Sequence, residues 1–298
     1  MDHALGNIVS MYTIMLAAFA FQKLIPFSVE TVNDLVFYFF LPVTVVYSIA
    51  KMPSLDPAWF ATIVFICFIL LSFCLFLGWL AGLALKLDGM RRKTFALAAA
   101  FGNYGFLGLP VVHAVLGQEG LVYAVYFLIG SYLFLYTVGF FIMTGRMSPS
   151  ALLTNPLLIS TAAGLTLLAL EVDFHPWIDQ TLGMVGSVTF PLSMVVVGGG
   201  LSLRFLGAFR GFGIPAAVAL LKLCMPPGLV WLLCTALSLP PLQTAACILQ
   251  SSMPTGVLVT VFAVKYGGDE KLSNAAISLS ILGGLATVPF WTLLLDVS

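Results

Sequence analysis

The stretch Gly102–Pro110, GNYGFLGLP, places an asparagine, glycines at 102, 105 and 108, and a proline inside one apolar run. A continuous helix through it is unfavourable. Glycine costs about 1 kcal/mol against alanine in a helix interior and proline roughly 3, because proline lacks an N–H and its ring collides with the preceding turn. In a membrane, freed backbone groups survive only where they are buried in protein or line a wet cavity. A helix broken at mid-depth is therefore a candidate binding site.

The remainder of the chain puts that run in a membrane. Of 298 residues, 61% are hydrophobic and 8% charged, more apolar surface than a soluble domain can bury. Apolar runs of about 20 residues with charges gathered between them read as helices, since barrel strands would alternate. The predicted fold is an all-α integral membrane protein with ten spans, near residues 6–25, 34–50, 58–86, 93–116, 120–145, 152–170, 177–202, 212–237, 241–265 and 273–295. The first run has no basic flank and reads as a mature helix, not a cleaved signal. Connections are short, so function must reside in the helices.

Orientation follows from Lys and Arg. With the N-terminus outside, the inner connections hold Lys23, Lys86, Arg91, Arg92, Lys93, Arg146, Arg204, Arg210, Lys265 and Lys271. Lys51 alone falls outside and Lys222 lies within a span, so both termini are expected outside the cell (inner) membrane. The connection with Glu171, Asp173 and Asp179 then faces outward.

Internal similarity decides the architecture. Pro42 and Pro191 are 149 residues apart, as are Asn103 and Ser252, while Gly117 and Glu119 answer Gly267 and Asp269 at an offset of 150. Halves of five spans, 1–149 and 150–298, must enter the membrane from opposite sides, which makes the repeat inverted. The second half supplies its own break, QSSMPTG at Gln250–Gly256. Two broken spans, four and nine, are expected to cross near the midplane.

Half-helices beginning near Gly105 and Pro254 would aim unpaired N–H groups at the crossing, and those ending near Gly102 and Ser252 would aim carbonyls there. One helix end contributes about 0.3–1 kcal/mol, so side-chain donors must add to it. Asn103, Gln250, Ser251, Ser252 and Thr255 are the candidates, with Tyr104, Leu107 and Met253 as an apolar wall or ordinary packing, and Pro110 closing the first break. Every acidic residue lies in a connection or near a span end, which disfavours a cation carrier. Lys222, in VALLKLCMPPG, either snorkels to the interface or serves as counter-charge and proton-coupling group for an anion. His113, three residues past Pro110, is either a proton relay or hydrogen-bonded to a neighbouring helix.

The five cysteines lack metal-ligand spacing and read as packing; no cofactor or metal is expected. Zero net charge without a charged tail argues against a nucleic-acid partner. Lipid is the expected surrounding, and apolar faces on spans two and seven suit either lipid or a homodimer. No constellation for an enzyme appears at usable spacing.

NYGFLGLPVV in span four and SSMPTGVLVTVFAVKYGGDE closing span nine resemble the two signature regions of the auxin efflux carrier family of secondary transporters. The resemblance covers the whole chain, including LP in span two, FP in span seven and a basic residue before proline in span eight. It implies two inverted five-helix repeats with crossed helices four and nine, similar to sodium/bile-acid symporters. It also implies export or exchange of small organic anions: auxin in plant members, and malonate, malate or related carboxylates in bacterial ones. The family's crossover site maps onto Asn103 and the Pro254 region. Plant members often carry asparagine at both crossings, whereas this chain has Asn103 at the first but Ser252 and Thr255 at the second, and its short connection after span five looks bacterial. Bile-acid symporters pair an acid with glutamine to hold sodium; Gln250 stands here without the acid, so proton coupling is left open and sodium is less favoured. The expectation is a transporter of mono- or dicarboxylates, or auxin-like acids, by alternating access. The alternative is a non-transporting anion sensor with the same fold.

Overall fold

The computed structural model describes residues 2–52, 56–147, 149–201 and 212–295. Arg204 and Arg210, assigned above to an inner connection, lie outside the described residues.

The chain begins with α1 (Asp2–Leu24). It continues as α2 (Val29–Leu35), a π-helical turn at Val36–Phe40 and α3 (Leu41–Ala50), stacked end to end. α4 (Pro57–Ala84) opens with proline at its first position, where no N–H is missed, and the Asp56 carboxylate accepts from Ala58 N and Trp59 N at 2.9 and 3.3 Å. Its 28 residues reach about 42 Å, enough to cross the roughly 30 Å hydrocarbon layer at a tilt.

α5 (Gly89–Ala100) stops where Phe101 turns extended, at φ −88° and ψ 124°. After Asn103 the chain runs through a π-helical turn at Tyr104–Gly108, α6 (Leu109–Phe134), a second such turn at Leu135–Gly139 and α7 (Phe140–Thr144). Gly117 divides α6 with φ 64° and ψ −161°, a conformation that glycine adopts without a Cβ clash.

The second half holds α8 (Pro149–Leu153), α9 (Pro156–Ala169), α10 (Pro176–Gly199) and α11 (Gly213–Ala236). It closes with α12 (Pro241–Ser251), α13 (Leu258–Tyr266) and α14 (Glu270–Leu294). Among the described residues seven helices are long and apolar enough to cross a membrane, and Pro156–Ala169 is a shorter apolar one. Pairing of extended backbone amounts there to a single bridge. The molecule is an all-helical membrane protein.

The helices pack as two groups. α1 lies on α10, α9 on α3, and α10 on α3; separately, α4 packs on α5 and α6, and α11 on α14 and α12. In the first group glycines permit backbone approach: a Cβ on Gly198 would overlap the Met15 carbonyl, and one on Gly164 would sit 2.9 Å from Ile49 Cβ. Thr44 and Thr189 join α3 to α10 through their hydroxyls at 2.7 Å. At one end of the second group Arg91 pairs with Asp269 at 3.3 Å, Thr94 Oγ1 accepts from Asp269 N, and Lys93 donates to Met143 O.

Candidate functional site

The two breaks meet. Asn103 N donates to Pro254 O at 2.7 Å and Gly256 N donates to Phe101 O at 3.0 Å, forming an antiparallel bridge between Gly102 and Thr255. Each broken helix thus satisfies one N–H and one C=O freed in the crossing: Asn103 N with Pro254 O, and Gly256 N with Phe101 O. Gly256 allows this approach, since a Cβ there would lie 2.6 Å from Gly102 O.

The breaks are placed somewhat differently from the sequence expectation. The first helix ends at Ala100, not Gly102, and the second half resumes at Tyr104 as a π-helical turn. In the other arm the helix resumes at Leu258, four residues after Pro254. Pairing explains both shifts, because Phe101, Thr255 and Gly256 must be extended to form the bridge and cannot begin or end a helix.

Asn103, Tyr104, Gly105, Gln250, Ser251, Ser252, Pro254 and Thr255 are all buried at this crossing. Thr255 N donates to Ser280 Oγ at 3.0 Å and its hydroxyl donates to Ala98 O at 3.1 Å, anchoring the bridge from both sides. The hydroxyls of Ser251 and Ser252 donate back to Ile248 O and Leu249 O. Gln250 donates to Ala124 O at 3.2 Å, while its Oε1 packs over Gly108 and has no partner. Asn103 Nδ2 is likewise a buried donor without a partner. An unpaired buried donor costs about 1–3 kcal/mol, so its retention needs a reason beyond folding.

Lys222 is fully buried and does not snorkel. Its ammonium donates to Ser251 O at 3.0 Å, at the carbonyl end of α12, and stands 5.5 Å from the centroid of the Tyr104 ring. Among the described residues it is the buried charged side chain, and none of their carboxylates is buried with it.

The free space beside Asn103, walled by Phe101, Tyr104 and Tyr132, is about 10 Å³, room for about one water and no organic acid. The crossing is closed in this conformation. Larger openings lie beside it, where α6 faces the first helical group. One cleft of about 330 Å³ runs from Asn7 on α1 to Pro110 and Met194. A second, of about 390 Å³, lies between α3, α6 and α10 and is lined by Tyr47, Lys51 and Gln118. His113 and Phe190, with ring centroids 5.2 Å apart, border both. The structure therefore separates Pro110 and His113 from the other candidates, placing them on the clefts.

At the mouth of the second cleft Lys51 Nζ pairs with Asp179 Oδ1 at 2.5 Å, and Tyr47 OH donates to the same oxygen at 3.1 Å. The hydrogen bond that Lys51 donates to the Asp179 carboxylate holds the Lys51 pKa above the ordinary lysine value. Sequence reasoning missed this group, although Lys51 stood out as the cation on the otherwise acidic side.

Comparison with known proteins follows the same line. A family profile described as membrane transport protein matches residues 3–152 and 144–292. The chain belongs to this family, that of the auxin efflux carriers. It is 26% identical to an "uncharacterized transporter" of Methanocaldococcus jannaschii, over 88% of each chain. It is 29% identical to another "uncharacterized transporter" from Methanothermobacter thermautotrophicus, over 74% of this chain and 76% of the relative. A Rhizobium meliloti protein described as "putative malonate transporter" is 25% identical over 67% of this chain and 68% of its own. Family and relatives are transporters, not enzymes, and they give the sensor alternative no support.

Proposed function

We propose that this protein carries small organic anions, mono- or dicarboxylates, across the cell membrane by alternating access. The observation that carries the reading is the crossing itself: two helix breaks bridged by backbone, with a buried ammonium at Lys222, an unused donor at Asn103 and no buried carboxylate among the described residues. Such a site favours negative charge and offers a bare cation nothing to exchange for. The description of the Rhizobium relative agrees in substrate class.

Ten spans in two inverted repeats, 1–149 and 150–298, complete the proposal. The stretch Tyr104–Thr144 has 41 residues, about 60 Å as a helix and twice the hydrocarbon thickness, so Gly117 divides two passes. The packing supports the symmetry: α1 on α10 is answered by α9 on α3, and α4 on α5 by α11 on α12. The first group would act as a fixed panel and the second would rock against it, with both termini outside and the Lys51 cleft on the outer face.

Thermal-shift measurements on purified protein with acetate, malonate, malate and indole-3-acetate, with and without sodium at two pH values, identify the ligand, since what binds the folded state stabilises it. Flux of that ligand into proteoliposomes under an imposed gradient is the expected result. Saturable binding without flux under any gradient would refute transport.

A further inference from the structure

The cleft beneath Lys51 has a charge problem that the proposed function creates. The end of the molecule carrying this cleft presents Asp56, Glu119, Glu171 and Asp173, all exposed, besides Asp179. An organic anion approaching it meets like charge, and among the described residues Lys51 is the Lys or Arg at that end. It stands at the mouth of a space of about 390 Å³ that leads inward past Gln118 and Ser187 to His113.

Lys51 is engaged, but by a partner it can exchange. Its side chain is 41% exposed and that of Asp179 37%, so the pair is partly solvated. Ion pairs in that setting hold weakly, whereas a buried pair would be inert. Replacing Asp179 on Lys51 by a carboxylate from solution swaps one charge-assisted hydrogen bond for another and leaves no buried charge unpaired. Tyr47 OH, already within 3.1 Å of that oxygen, is placed to follow either carboxylate. Lys51 closes α3 and Asp179 opens α10, so the exchange also releases a tie between two helices that wall the cleft.

Resting on the organic-anion reading, we propose that Lys51 is the first binding point for the substrate carboxylate and that Asp179 is an internal carboxylate occupying it until substrate arrives. The site selects for a carboxylate at the rim, and Asp179 sets the substrate concentration needed to open it.

The test is initial-rate uptake of radiolabelled malonate into proteoliposomes for the wild type, Lys51→Gln, Lys51→Arg, Asp179→Asn and the double variant Lys51→Gln with Asp179→Asn. Loss of the charge-assisted contact in Lys51→Gln raises KM about tenfold with maximal rate retained, and Lys51→Arg restores most of the affinity. Asp179→Asn frees Lys51 and lowers KM severalfold, and it changes nothing in the Lys51→Gln background. A Lys51→Gln KM within twofold of wild type, or a KM raised by Asp179→Asn, overturns the proposal while leaving carboxylate transport standing. Should the wild type carry none of malonate, malate, succinate or acetate, the function proposed above fails and this inference falls with it. Melting temperatures of all variants, measured on the same preparations, separate lost affinity from lost fold; an affinity loss that tracks melting temperature across the set also refutes the role.

Discussion

Substituting Gly256 by alanine tests whether the two broken helices are held together as described. The new Cβ would lie 2.6 Å from Gly102 O and 2.9 Å from Phe101 Cδ1, where an ordinary contact begins near 3.4 Å. The strands must separate by about 0.8 Å, which would stretch the Gly256 N–H donation to Phe101 O, now 3.0 Å, well past the usual hydrogen-bond range. Donor and acceptor are both buried, and each left unsatisfied costs about 1–3 kcal/mol, so the substitution should destabilise by roughly 2–6 kcal/mol. Thermal unfolding in detergent, followed by tryptophan fluorescence, reads the effect. Gly228→Ala is the control, since it meets nothing within 4 Å and gains helix propensity. A Gly256→Ala protein that melts with the control and transports at the wild-type rate would refute the backbone bridge as the joint between the halves.

Asn103→Ala removes a donor that pairs with nothing in the resting fold, so melting temperature should hold or rise while carboxylate flux falls at least tenfold; undiminished flux would remove Asn103 from the site. Lys222→Met takes the ammonium from Ser251 O, and anion flux or its pH dependence should be lost; both unchanged would show the lysine to be packing only. Asp179 raises the Lys51 pKa above 10.5, with Asp173 and Tyr47 adding to the same direction. A raised folded-state pKa means that the ammonium and its contribution persist below the ordinary lysine value and are lost only as pH climbs through the folded one. The ratio of KM in Lys51→Gln to KM in the wild type, for a fully ionised acid, should then be flat between about pH 7.5 and 9.5, since any titration at His113 or Lys222 enters both proteins alike. An inflection of the ratio in that window would mean that Lys51 loses its proton there and that its pKa is not raised.

Much of the crossing was legible because it breaks a local rule: Gly102, Gly105, Gly108 and Pro110 contradict helix propensity within a run that hydropathy makes a span. The exact limits were not, since Phe101 and Thr255 take their extended form from pairing with residues more than 150 positions away. Lys222 was found by its charge, but whether it snorkelled depended on which face α11 turns to Ser251, a tertiary fact. The Lys51 cleft was hidden for a related reason. Its walls come from three helices far apart in sequence, and Tyr47, Gln118 and Asp179 are each unremarkable alone. Lys51 did leave a trace, as the exception to the charge bias.

The bridge between Gly102 and Thr255 has a consequence for how such a protein can diverge. The two hydrogen bonds that form it run from main chain to main chain, so beyond glycine where the backbones touch the joint asks side chains only of Thr255 and Ser280, which anchor it. The side chain at 103 contributes nothing to that joint, and the hydroxyl at 252 is spent on its own helix. A lineage can therefore re-line the chamber and change its cargo without rebuilding the hinge.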